Sequence, residues 1–164
     1  MSHTLQTMFL ILVFAGIMFM QFNLDSDRTA NRQIKNALEL AVHDAALALD
    51  ESHLISGQIV FDQGRAMDNF KTSLETSLRV EASGEGFIYS PLEESRYQNE
   101  MYIEHIEFFD DSNSLFPFSY NNPDYNIIET LQGPGVVAVL TTVSPRYFRG
   151  NGMIIRKTVV YEYQ

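Results

Sequence analysis

The chain has no cysteine, so it has no disulfide framework, no thiolate metal site and no thiol nucleophile. It has no proline before Pro91, which leaves a long N-terminal stretch free of the strongest helix breaker. It has no charged residue from Leu5 to Leu24, which removes what would keep a helix in water. No Asn-x-Ser/Thr acceptor occurs, so N-glycosylation by that signal is excluded. Basic residues are scarce, with 11 Lys and Arg against 21 Asp and Glu and a net charge of −10. At a pI near 4.7 the chain lacks the clustered cations that nucleic-acid phosphates or anionic lipid surfaces require.

What stands at the N-terminus is apolar. Met8 to Met20 is unbroken (MFLILVFAGIMFM), and Gln6, Thr7, Gln21 and Asn23 lie near the ends of the wider segment. At about 1.5 Å per helical residue, the twenty residues Leu5–Leu24 span roughly 30 Å, one hydrocarbon thickness. Gly16 is the single weak helix former, and membrane helices tolerate glycine better than soluble ones. A cleaved secretory signal would begin with basic residues and end in a small-x-small site. Here the first basic residue is Arg28 and no such site follows, so the segment is expected to stay attached. The missing basic region also fits a leader removed ahead of Met1.

From Asp25 the pattern is that of an amphipathic helix running on without a break to about His53 and stopping by Ser56-Gly57. Ala30, Ile34, Leu38, Ala41, Ala45 and Ala48 recur every three or four residues, and Leu40, Val42, Leu47 and Leu49 widen the stripe. Packing on the chain's own domain accounts for this stripe; it cannot account for residues 5–24, which are apolar all round. The organisation expected is a spanning or filament-core helix (1–24), its amphipathic continuation (25–56) and a β-rich head (57–164).

Within the head, Asp62-Gln63-Gly64 reads as a turn, and residues 65–80 as a second helix with Met67, Phe70, Leu74 and Leu78 on one face. Ser83-Gly84-Glu85-Gly86 breaks it. Strands are expected at Phe87–Ser90, Met101–Phe109 and Val136–Val143. Asn151-Gly152 signals a type I′ hairpin into a last strand carrying Met153, Ile155, Val159, Tyr161 and Tyr163 on one face. Ser144-Pro145 would kink the partner strand or place it at an edge. The fold class is therefore α+β: a meander of about three to five antiparallel strands covered by two helices. Asp110–Asn126 reads as a long loop, whose Phe116, Phe118, Tyr120 and Tyr125 either plug the core or contact a neighbouring subunit. Residues 81–129 are acidic, and 130–164 carry Arg146, Arg149, Arg156 and Lys157; pairing between sheet neighbours is the plainer reason, a head-to-tail subunit contact the sharper.

Chemistry is sparse. His3, His43, His53 and His105 form no compact metal pattern, and there is no phosphate loop and no GxSxG. Asp110, Asp111 and Asn113 cluster oxygens that could hold a cation, but the EF-hand Gly and Glu are missing and such runs usually cap turns. No nucleophile or base is placed near the carboxylates of residues 93–111. The expectation is a non-enzyme without a cofactor or resident metal.

A helix of about 50 residues, apolar then amphipathic, ahead of a small β-rich head resembles the type IV pilin superfamily, which includes pseudopilins and tight-adherence pilins. The resemblance lies in residues 1–53; the head is similar only in size and strand content. It implies a subunit of a helical extracellular surface filament, a fimbrium serving adhesion, stored in the inner or cytoplasmic membrane and polymerised by pilus assembly machinery with copies of itself. It also implies assembly surfaces: Leu5, Met8, Phe9, Leu12, Val13, Ala15, Gly16, Met20 and Leu24 in the filament core, with Ile34, Leu38, Ala41 and Ala45 continuing the helix. Head contacts would fall to Phe116, Phe118, Tyr120 and Tyr125. If Met1 is the mature start, the chain departs from the bacterial major-pilin pattern at the fifth position, where Leu5 stands in place of glutamate with Gln6 beside it; no Glu precedes Glu39. The alternative is a single-pass membrane-anchored extracytoplasmic scaffold of a secretion or envelope complex.

Overall fold

The computed structural model of the chain describes residues 2–84, 86–148 and 150–163. Met1, Glu85 and Arg149, invoked above as the filament start, part of a helix break and part of the basic segment, lie outside the described residues.

Helix α1 runs without a break from Ser2 to Ala46. No proline interrupts it and Gly16 is its only glycine, so each backbone N–H past the first turn finds its partner four residues back. The helix ends earlier than the periodicity suggests, because another pairing takes over the backbone. Asp50 N donates to Val60 O (2.9 Å), Asp62 N donates to Ala48 O (2.9 Å), and Leu49 bridges Phe61. The chain then makes the separate short helix α2, Glu51–Ile55, capped by the Asp50 carboxylate and left through Gly57 at φ +80°.

Helix α3, Gln63–Leu78, starts where the sequence suggested a turn. Asp62 is its N-cap, accepting from Arg65 N, and Arg79 closes it in the left-handed region. Its buried face is Ala66, Phe70, Leu74 and Leu78; Met67 is only half-buried.

The strands are β1 (Val80–Ser83), β2 (Ile88–Pro91), β3 (Met101–Phe109), β4 (Phe118–Asn122), β5 (Ile127–Leu131), β6 (Gly135–Val143) and β7 (Ile154–Glu162). All pairings are antiparallel, in a five-stranded sheet of order β1-β2-β3-β6-β7 and a separate β4-β5 hairpin. Part of the expected 110–126 loop is thus strand β4. The meander is interrupted, since β3 pairs with β6 and the hairpin between them folds away.

That hairpin explains the continuous apolar run in β6. Val136, Ala138 and Leu140 face the helices, while Val137 and Val139 face the hairpin's Tyr120, Ile127 and Leu131. A strand covered on both sides has no reason to alternate. On β7, which the helices cover on one face, Ile155 and Val159 are buried and Tyr161 and Tyr163 partly so.

The β6–β7 connection is not a two-residue hairpin. It spans residues 144–153 and is closed by Ser144 N donating to Met153 O (2.9 Å). Ser144-Pro145 ends β6 instead of kinking it. Gly152 is needed for close approach: a Cβ there would sit 2.3 Å from Ser144 O and 2.4 Å from Val143 Cγ1.

The main core lies between the sheet and the two long helices. Ala30, Ile34, Leu38, Ala41, Ala45 and Ala48 are all buried in it, as is Val42. Small alanines let α1 lie close to its neighbours. Leu40 and Leu47, grouped with this stripe from the sequence, fall on the outer side and stay exposed.

Candidate functional site

Up to Met18 the first half of α1 shows no aromatic or ion-pair partner from the head among the described residues; only its last turns, at Phe19, Phe22 and Asn23, meet the head. It is long and apolar enough to cross a membrane, and none of its most apolar stretch is buried. Leu5 (71 % exposed), Leu12 (70 %) and Met20 (68 %) mark the extent of that exposure. Met8, Phe9, Val13 and Leu24 are exposed as well, and Ala15 is half-buried. A Cβ on Gly16 would meet nothing within 4 Å, so the notch there is open to an approaching helix.

The second half is a different surface. Ile34, Leu38, Ala41 and Ala45 have 0 % exposure because they pack on the chain's own head. They therefore present nothing to a second copy, which corrects their place among the assembly residues. Leu40 takes an outward position on this half, and Leu47, just past the end of the helix, is exposed as well.

A collar holds the head at the point where the apolar segment gives way to charge. Arg146 Nη1 donates to Asp27 Oδ1 (2.7 Å) and to the Asn23 carbonyl (3.3 Å). Ser144 Oγ donates to the same Asp27 oxygen (2.5 Å), and Ser26 Oγ donates to Pro145 O (2.9 Å). The Asp27 and Arg146 side chains keep only 14 % and 18 % of their exposure. Arg146 Nε also donates to Asn151 O (3.0 Å), and Gln98 Nε2 donates to Arg146 O (3.2 Å), so the loop is braced from within and from the β2–β3 segment. Below the ion pair, the Phe148 ring lies 4.3 Å from Phe19 and 6.2 Å from Phe22, centroid to centroid. The collar joins residues more than a hundred positions apart, and the sequence marks it only by the Arg146-Tyr147-Phe148 cluster after Pro145.

The oxygen cluster at the end of β3 is turned inward. Asp110 is buried; its carboxylate accepts from Ser112 N (2.9 Å), Ser112 Oγ (2.5 Å) and Phe61 N (3.1 Å). Asp111 Oδ2 accepts from Ile59 N (2.7 Å), and Asn113 Oδ1 from Asp110 N (2.9 Å). These lone pairs staple the 58–62 segment to the sheet and form a turn. Among the described residues no group of three His, Cys, Asp or Glu is arranged to hold a metal.

The aromatics named as head contacts form the second, smaller core. Tyr120 is buried in it, and Phe116, Phe118 and Tyr125 pack partly buried against it. His105 Nε2 sits 2.9 Å from the Tyr120 hydroxyl and 3.1 Å from Glu107, and its ring stacks on Tyr125 at 5.3 Å. Charge pairing across the sheet takes the plainer form, with Arg156 Nε 3.1 Å from Glu104 across β6. His43 rests edge-on against Tyr161 at 5.2 Å and sits 3.3 Å from Asp44.

Burial raises the Tyr89 phenol well above its ordinary range and pushes Tyr97 up to about 12. Both phenols belong to the core, and Tyr97 reaches toward Gln33 Oε1 (3.4 Å) on α1. Comparison of the chain with protein-family models, with curated proteins and with solved structures gives no match.

Proposed function

We propose that the chain is a non-enzymatic, pilin-like subunit of a helical extracellular filament, held in the membrane before assembly and polymerised through α1. The observation that carries this reading is the division of one unbroken 45-residue helix into two surfaces. Its C-terminal half is bound to the head, while its N-terminal half is apolar around the circumference and unburied, touched by the head only near its end at Phe19 and Phe22.

Such a surface requires lipid or neighbouring helices. Each large apolar side chain from Leu5 to Leu24 contributes about 1.5–3 kcal/mol on leaving water. In a bilayer that gain is already present, so polymerisation depends on close packing, for which small residues are suited. Ala15-Gly16 supplies the notch, and exposed Leu40 and Leu47 extend the contact beyond the membrane zone. Partners are copies of the chain and an assembly machinery; the acidic surface does not suit nucleic acid.

Gly16→Leu tests the reading. The site is open within the subunit, so the head should fold and the helix insert as before. Sheared cell-surface material examined by negative-stain microscopy should then lack the filaments seen with the unaltered chain. Normal filaments from the variant would refute helix packing at Gly16. Full retention of the unaltered chain in the membrane fraction, with no filament, favours the second reading, a membrane-anchored scaffold. The collar that fixes the head to the end of the apolar segment suits that reading too.

A further inference from the structure

We infer that the β6–β7 loop is a second membrane contact, with Tyr147 and Phe148 seated in the interfacial layer of a phospholipid bilayer beside the exit of α1. The inference rests on reading α1 as a membrane helix and goes beyond it, because it gives the head a fixed place against the lipid.

The geometry points to lipid through continuity with the span. Phe148 packs with tilted rings against Phe19 and Phe22, and both belong to the uncharged segment that ends at Leu24. Phe19 precedes Leu24 by five residues, so it lies roughly 7 Å inside the end of that segment. Wherever Phe19 is within the bilayer, the ring touching it is there as well.

The layers above follow the order of a membrane interface. Phe22, Asp25, Arg96, Tyr147 and Phe148 line one shallow cleft, with Tyr147 62 % exposed at its rim. Arg96 adds a cationic side chain to the lining of that cleft, a group suited to a phosphate or ester oxygen. One further turn up, the Asp27–Arg146 pair marks the watery side. Apolar ring, then phenol and guanidinium, then ion pair is the sequence of groups that aromatic belts place from acyl chain to headgroup to water.

The chain contains no tryptophan, so Tyr147→Trp places a single tryptophan, excited selectively beyond the tyrosine absorption band, at an exposed position. The full-length variant is reconstituted at low density in phosphatidylcholine vesicles brominated either near the carbonyl end or near the methyl end of the acyl chain. Leu12→Trp, in the middle of the span, is measured in parallel. The expected result is blue-shifted Tyr147→Trp emission quenched more by the shallow bromines, with Leu12→Trp quenched more by the deep ones. If Leu12→Trp is quenched while Tyr147→Trp stays red-shifted and open to aqueous iodide, the loop contact is overturned and the membrane helix stands. If neither is quenched, the membrane reading fails with it. Shielding of Tyr147→Trp that disappears on dilution in lipid would overturn the proposal in favour of a second copy as the occupant.

Discussion

Removal of either partner of the Asp27–Arg146 pair should loosen the head from α1 by more than a surface ion pair could. Exposed pairs contribute about 0–1 kcal/mol, whereas deleting one partner of a buried pair costs roughly 3–5 kcal/mol because the other charge is stranded. At 14 % and 18 % exposure this pair lies near the buried limit, and about 2–4 kcal/mol is the expected loss. The two deletions should differ. Asp27→Ala leaves Arg146 with the Asn23 and Asn151 carbonyls, so its cost falls toward the lower end. Arg146→Met leaves the Asp27 carboxylate with Ser144 Oγ alone, a poorer substitute. Urea unfolding of the full chain in detergent, followed by tyrosine near-ultraviolet circular dichroism, measures both singles and the double variant. The double should cost less than the two singles together by at least about 1 kcal/mol, the range expected of residues in one network. Additivity within about 0.5 kcal/mol would show that the pair does not hold the collar.

Gly152→Ala should destabilise the head by about 1–3 kcal/mol or more, since the added methyl meets the Ser144 carbonyl and Val143 at well under contact distance; the same urea titration reads it. Asp110→Ala should cost about 1–3 kcal/mol by stranding the Phe61 and Ser112 N–H groups, and added Ca²⁺ should shift neither protein's midpoint. Asp50 is lowered from the ordinary 3.8 to about 2, chiefly by the Ser52 hydroxyl hydrogen bond and then by the Ser52 N–H. Its capping of α2 is thus fully present above pH 3.8 and lost as pH falls through about 2. The Ser52 amide resonance should follow that titration, and in Asp50→Asn it should not.

The sequence alone determined the parts of this protein that depend on local pattern. A run without charge or proline is a helix that water cannot cover, and the stripe from Ala30 to Ala48 is the face that packs. Strands β3, β6 and β7 were legible for the same reason, as apolar segments bounded by turn residues. Only the tertiary structure decided where competing partners win. Helix α1 stops at Ala46 because residues 48–50 pair with 60–62, and no local signal reports a pairing across that gap. Strand β4 emerged from an irregular stretch because β5 and the back of β6 give it a partner and a core. Asp110 became a turn staple instead of a cation ligand once Phe61 and Ser112 claimed its oxygens. The collar is the clearest case: Arg146 and Phe148 acquire a role only when folding carries them to Asp27 and Phe19, since side chains so far apart in the chain meet through packing and not through periodicity.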